Sequence, residues 1–188
     1  SVKSFKIMKK ILIITIIMFS FLNKTYANYE QLAHEFSFKS IDGDEINLQN
    51  YKNNVLVIVN VASRCGFTNQ YTDLQNLWSK YKDKNLVVIG VPTNNFKQEP
   101  GSNKDIKDFC ETNFNIDFPM TEKMNVIGGN AHPFFKWAKE NHGRSAVPKW
   151  NFHKIIIGKN GKVADTFSSI TKPSSKKFIS LIEKEIKN

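Results

Sequence analysis

The sequence predicts an α/β fold built on a central mixed β-sheet flanked by helices, and three observations carry that prediction. Val55-Leu-Val-Ile-Val-Asn-Val61 and Leu86-Val-Val-Ile-Gly-Val91 are near-continuous β-branched runs, the pattern of strands buried on both faces. Between them Leu74, Leu77, Trp78 and Tyr81 recur at helical spacing. That strand–helix–strand order implies a right-handed parallel crossover. Toward the C-terminus, residues 152–158 and 163–167 form two further apolar stretches around Lys159-Asn-Gly-Lys162. An Asn-Gly turn there makes an antiparallel hairpin, so the sheet is mixed.

The remaining elements follow in chain order. Met8-Lys9-Lys10 is a basic opening, Ile11 to Leu22 is apolar except for Thr15 and Ser20, and Thr25 and Ala27 are small residues at cleavage-site spacing. This is the three-part pattern of a secretory signal peptide over residues 1–27, with residues 1–7 upstream of Met8 as a candidate start. The apolar run is shorter than the roughly 20 residues of a spanning helix, which favours cleavage after Ala27 over the alternative of an uncleaved N-terminal anchor. Residues 28–188 are then one domain with a single core, exported to a periplasmic or extracellular location. Within it, residues 36–41 and 45–48 alternate around Asp42-Gly43 and read as a hairpin. Pro92 closes the second buried strand, and Ser102 is an N-cap for a helix over residues 104–114. A helix is predicted over residues 132–140 and another after Pro173-Ser-Ser, with Phe178, Leu181, Ile182 and Ile186 on one face.

Charge narrows the function. The full chain carries 27 basic against 17 acidic residues. Five of those lysines and no acid lie in residues 1–27, which leaves 22 against 17, a net of +5. The lysines are spread over helix faces instead of forming a block, so no nucleic-acid partner is expected. The excess favours transient contact with anionic membrane surfaces. His34, His132, His142 and His153 are scattered without metal-ligand spacing, and neither a metal nor a cofactor is expected. His132 reads as a helix-start or packing residue, Trp78 and Trp137 as core.

Two cysteines remain, Cys65 and Cys110. In an oxidising compartment a lone pair reads first as a structural disulfide. Cys65 argues against that by its position, directly after a buried strand and before the helix that starts near Thr68, with Arg64 beside it. Helix N-termini and cations favour the thiolate, which is the form that attacks peroxide. Asn60-Val-Ala-Ser-Arg-Cys-Gly-Phe-Thr68 resembles the nucleophile segment of the glutathione peroxidase family. Asn94-Asn-Phe-Lys-Gln-Glu-Pro-Gly101 is similar to its Gln-Glu-Pro-Gly loop, and Lys149-Trp-Asn-Phe152 to its Trp-Asn-Phe segment. Phe118-Pro119-Met120 and Ala131-His132-Pro133 match further landmarks. The likeness spans residues 35–186. It implies a thioredoxin-like fold and a thiol peroxidase reducing hydrogen peroxide and organic or lipid hydroperoxides, with Cys65, Gln98, Trp150 and Asn151 as catalytic residues. Amide and indole N–H groups aimed at the sulfur would stabilise a thiolate and hold the leaving oxygen.

Where the sequence departs from the family pattern, it sharpens the reading. The nucleophile is Cys, not selenocysteine, which implies slower attack. Thr93 stands where non-selenium members often have Cys, and Phe96-Lys97-Gln98 is one residue shorter than the common Phe-Gly-X-Gln form. The connection from Trp137 to Trp150 lacks the long insertion of tetrameric members, which implies a monomer flexible in its reductant. Thioredoxin-dependent members carry a resolving cysteine in the region of Cys110. The resemblance thus implies a Cys65–Cys110 disulfide reduced by a thioredoxin-like protein or by glutathione. An exported thiol–disulfide oxidoreductase is an alternative, but Cys65-Gly-Phe-Thr68 lacks the second Cys of a Cys-X-X-Cys motif. A peroxide sensor relaying its disulfide to a partner protein shares the chemistry.

Overall fold

A computed structural model describes residues 29–188; the signal peptide expected over residues 1–27 lies outside the described residues. After a single 3-10 turn (Ala33–Glu35) comes a hairpin of β1 (Ser37–Lys39) and β2 (Glu45–Asn47), which stand as a separate two-stranded antiparallel sheet. The main sheet contains β3 (Val55–Val61), β4 (Leu86–Pro92), β5 (Lys154–Ile157) and β6 (Val163–Phe167) in the order β4-β3-β5-β6. β3 and β4 are parallel, whereas β5 runs antiparallel to β3 and β6 antiparallel to β5. Four helices pack around it: α1 (Gln70–Tyr81), α2 (Asn103–Phe114), α3 (Pro133–His142) and α4 (Lys176–Lys187). This is the thioredoxin-like α/β arrangement that the sequence implies.

The period-two alternation of β3 divides the core. Val55, Val57, Val59 and Val61 join one apolar cluster with Tyr71, Leu74 and Leu77 of α1, Ile106 and Cys110 of α2, and Phe178 and Ile182 of α4. Leu56 and Ile58 point the other way, into a cluster with the hairpin residues Phe36 and Phe38 and with Phe134 and Trp137 of α3. Every residue of β3 and β4 is buried, which is why both runs are apolar without alternation. Phe178 and Ile182 are wholly buried, each worth about 1.5–3 kcal/mol over exposure, and they hold α4 to the sheet.

Helix starts follow local chemistry. Ser102 caps α2, its side chain accepting the Asp105 amide while the Asp105 carboxylate accepts from the Ser102 backbone, a reciprocal capping box. His132 caps α3 by accepting from Phe134 N through Nδ1 at 3.3 Å, with Pro133 in the first turn. Trp137 is buried and its indole donates to Gln31 O at 2.8 Å. Several strand limits differ from the sequence expectation by a residue or two, and two of them have a local cause. Pro92 belongs to β4 as its last residue, because only its missing N–H is lost there and its carbonyl still accepts from Met124 N at 3.0 Å. β5 begins only at Lys154, because Phe152 adopts a left-handed φ of 62° that no strand permits.

Candidate active site

β3 delivers the chain to a tight turn, and Cys65 lies in it, 7% exposed. The turn is closed on itself. Thr68 Oγ1 accepts from Cys65 N at 3.1 Å and donates to Cys65 O and Ala62 O. Phe67 N donates to Cys65 Sγ at 3.4 Å. The sulfur thus receives a backbone amide just before α1, the orientation in which helix-entry amides favour a negative charge.

Two loops meet this turn. Residues 93–101 are fastened to it at both backbone and side chain: Arg64 N donates to Gln98 O at 3.1 Å, and the buried Glu99 carboxylate accepts from Ser63 N at 2.7 Å and Ser63 Oγ at 2.8 Å. Burial pushes the Glu99 carboxyl up from its ordinary range, while Ser63, Lys123 and Arg64 pull it back. The shortened Phe96-Lys97-Gln98 segment closes because Lys97 takes a left-handed φ of 58°, with Lys97 N bonded to Asn94 O at 3.0 Å. A non-glycine residue there costs about 1 kcal/mol. The result is that Gln98 still reaches its partner.

Residues 149–153 form the second loop, wound around Asn60. Asn60 Nδ2 donates to Trp150 O at 3.1 Å, Asn60 O accepts from Phe152 N at 2.6 Å, and Asn60 Oδ1 accepts from His153 N at 3.2 Å. Asn151 is wholly buried, and its Nδ2 donates to Gln98 Oε1 at 2.9 Å. That bond spends the Gln98 acceptor and leaves the Gln98 Nε2 amide free to donate. Trp150 is 41% exposed and packs on Phe96 with ring centroids 5.5 Å apart. Among the described residues neither Gln98 nor the Trp150 indole hydrogen-bonds Sγ; the Phe67 amide is the donor on it. Cys65, Gln98, Trp150 and Asn151 are therefore held by three interlocked loops, with two N–H donors unspent.

Cys110 is elsewhere in character. It lies in the body of α2, 1% exposed, in the same apolar cluster as Cys65. Both thiols are free. Burial pushes the Cys110 thiol up to about 11, with the nearby Tyr71 hydroxyl opposing. That hydroxyl is itself buried without a well-formed hydrogen bond.

Three residues that shape the site were not assigned a role from sequence. Asn60 is the one polar side chain in an otherwise apolar strand, which was its available signal. Glu99 lies directly after Gln98 in the Gln-Glu-Pro-Gly segment, and its residue type alone does not distinguish a buried staple from a solvated carboxylate. Lys154, wholly buried with Nζ bonded to Gln70 Oε1 and to Thr171 O at 2.7 Å, gave no signal, since lysine in an edge-proximal strand ordinarily faces water. No group of three or more His, Cys, Asp or Glu able to hold a metal occurs among the described residues.

Comparison with known proteins places this geometry. The glutathione peroxidase family model matches residues 33–139. The hydroperoxy fatty acid reductase gpx1 of Synechocystis sp. is 43% identical over 156 residues, 78% of this chain and 92% of that protein. The glutathione peroxidase-like peroxiredoxin 2 of Saccharomyces cerevisiae is 43% identical over 147 residues, covering 76% and 90%. The crystal structure of Trgpx in apo form superposes with a TM-score of 0.67 at 34% identity, over 85% of this chain and 97% of that one. The family model and the relatives cover most of the sequence, and the chain belongs to the glutathione peroxidase family and is a thiol peroxidase that reduces hydroperoxides.

Proposed function

We propose that Cys65 is the peroxidatic nucleophile, assisted by Gln98, Trp150 and Asn151. The observation that carries this is the Phe67 amide on Sγ beside a Gln98–Asn151 pair 2.9 Å apart. The thiolate attacks the terminal oxygen of a hydroperoxide, so an S–O bond forms as the O–O bond breaks. Two electrons pass from sulfur, Cys65 becomes a sulfenic acid, and the alkoxide or hydroxide released takes up a proton. The free Gln98 amide and the Trp150 indole are suited to hold that departing oxygen, and Asn151 positions Gln98 to do so.

Cys110 then resolves the intermediate. Its thiol condenses with the sulfenic acid, giving the Cys65–Cys110 disulfide and water. Two thiols of a thioredoxin-like protein or of glutathione reduce that disulfide, and the monomer turns over. Cys110 is 1% exposed inside α2, so α2 loosens around it before the bond closes. The leader pattern of residues 1–27 supports export, which Edman sequencing of the secreted protein tests: a mature N-terminus near Asn28 is expected. The enzymatic reading is tested by peroxide consumption with wild type and Cys65→Ser, each offered thioredoxin or glutathione in turn. Wild type consumes peroxide with at least one reductant and the variant with neither. Consumption by Cys65→Ser at the wild-type rate would refute the assignment.

A further inference from the structure

Cys110 sits where α2 is about to end. Its carbonyl accepts from the capping Asn115 N and from Ile116 N at 3.4 Å, so a single turn of helix follows it. Asn115 closes that turn in a left-handed conformation, φ 51°, which asparagine tolerates. Glu111, Thr112 and Asn113 within the turn are exposed. Its apolar anchor is the half-buried Phe114, whose ring packs on Tyr71 with centroids 5.2 Å apart and on Phe109 at 5.7 Å. Cys110, Glu111 and Ile116 also line a cavity of about 350 Å³ shared with Ile41 and Ile46 of the hairpin. The last turn of α2 is clamped on one face and open on another.

Tyr71 is the other jaw of that clamp. It stands in the first turn of α1, wholly buried, and its ring meets Phe152 edge-on at 5.2 Å as well as Phe114. One side chain thus joins the helix that follows the nucleophile, the loop of Trp150 and Asn151, and the end of α2. Its ring favours closure, whereas its hydroxyl opposes it. The hydroxyl is buried without a well-formed hydrogen bond among the described residues, and the polar group beside it is the Cys110 thiol, a weak partner. Burying a hydroxyl on such terms costs stability. That cost exists only while the turn is closed, because loosening residues 110–114 uncovers the hydroxyl to water.

We propose that Tyr71 is a positioning residue for the resolving step: its ring clamps the last turn of α2, and its buried hydroxyl keeps the clamp weak enough for Cys110 to be released. The inference rests on the reading of Cys110 as the resolving thiol and adds the residue that governs its release. Tyr71 gives up no proton and no electron in the condensation and acts through Cys110 alone. Because ring and hydroxyl work in opposite directions, two substitutions at the clamp should change release with opposite signs.

The test uses the full chain carrying Cys65→Ser, in which Cys110 is the remaining thiol, and reads its alkylation by N-ethylmaleimide at pH 8. Alkylation requires release, so its rate follows the open population of the last turn. Tyr71→Phe keeps the ring and removes the hydroxyl. It is expected to slow alkylation about three- to tenfold, the lower part of the penalty for an unpaired buried hydroxyl, and to raise the denaturant midpoint. Phe114→Leu removes the ring contact from the helix side and is expected to speed alkylation about three- to tenfold. With Cys65 restored, formation of the Cys65–Cys110 disulfide after a peroxide pulse should slow and quicken by the same factors. A hydroxyl that merely held the fold together would lower the midpoint on removal, so a lower midpoint with faster alkylation in Tyr71→Phe overturns the inference. Alkylation at the parent rate in either variant does so too. Alkylation that responds as expected, with no Cys65–Cys110 disulfide formed by the wild-type chain, supports the clamp and overturns instead the resolving role of Cys110.

Discussion

The two cysteines share an apolar cluster and differ in almost everything else. Cys65 lies in a turn, where backbone amides have not yet been consumed by a helix, and one of them reaches its sulfur. Cys110 lies inside α2, where the neighbouring amides are spent on the helix itself and the thiol is pushed up to about 11 by burial. A turn before a helix offers free donors to an anion; a helix interior offers packing. The difference teaches that the chain's reactivity is assigned by backbone position. On the proposed mechanism, one thiol is ready as folded and the other must be released to react.

Removing the released thiol has the largest effect that separates the two. Cys110→Ser should keep the first oxidation of Cys65, one equivalent of peroxide consumed in a stopped-flow mixing experiment, and lose steady-state turnover with thioredoxin. Full thioredoxin-driven turnover in that variant breaks the contrast, because Cys65 would then need no partner. Next in size is the ready side of the comparison. Gln98→Ala removes the unspent amide, and loss of a preorganised donor costs about 10²–10³ in rate. The drop should appear in the second-order rate constant for Cys65 oxidation and leave the disulfide-forming step unchanged.

The pH dependence of resolution sharpens the same contrast. If Cys110 reacts while still packed in α2, its thiolate fraction rises about tenfold per pH unit up to about 11. Disulfide formation after a peroxide pulse would climb across that whole range. Should α2 loosen first, as proposed, the exposed thiol titrates near the ordinary value of about 8.5, and the rate levels off above it. Quenched-flow alkylation from pH 6 to 10 distinguishes the two courses, and a plateau near pH 9 is expected.

The parts of this molecule that were legible in sequence are those decided locally. β3 runs over Val55–Val61 as the apolar run dictated, and Ser102 caps α2 as its side chain and spacing dictated. The four catalytic candidates were legible only because motifs carry them, since what joins them is distant in the chain. Asn60 holds Trp150 across 90 residues, and Asn151 holds Gln98 across 53. Neither contact leaves a periodicity to read. The left-handed Lys97 and Phe152 were illegible for a related reason: their residue types do not favour that conformation, and only the contacts around them impose it. Glu99 shows the cost of reading motifs by their known members, because its role is to staple Ser63 beside the nucleophile.

The smallest predicted effect concerns stability, on the side of the sheet where α1 begins. Lys154 is wholly buried, bonded to neutral groups alone, and burial pushes its amine down to about 7. An unfolded lysine titrates near 10.4. Between those values the unfolded chain holds a proton that the folded chain has given up, so unfolding free energy rises with pH through the window. Below about pH 7 both states are protonated, and the folded state bears the full cost of a buried charge. The slope from this one group is at most about 1.4 kcal/mol per pH unit. Denaturant titrations from pH 7 to 10 should show wild type gaining stability along that slope, and Lys154→Met should flatten it. The variant need not match wild type in absolute stability, because Gln70 Oε1 and Thr171 O lose their donor. An unchanged slope in Lys154→Met would mean that water reaches the amine, and that the N-terminal turn of α1, five residues past the nucleophile, is less dry than its packing shows.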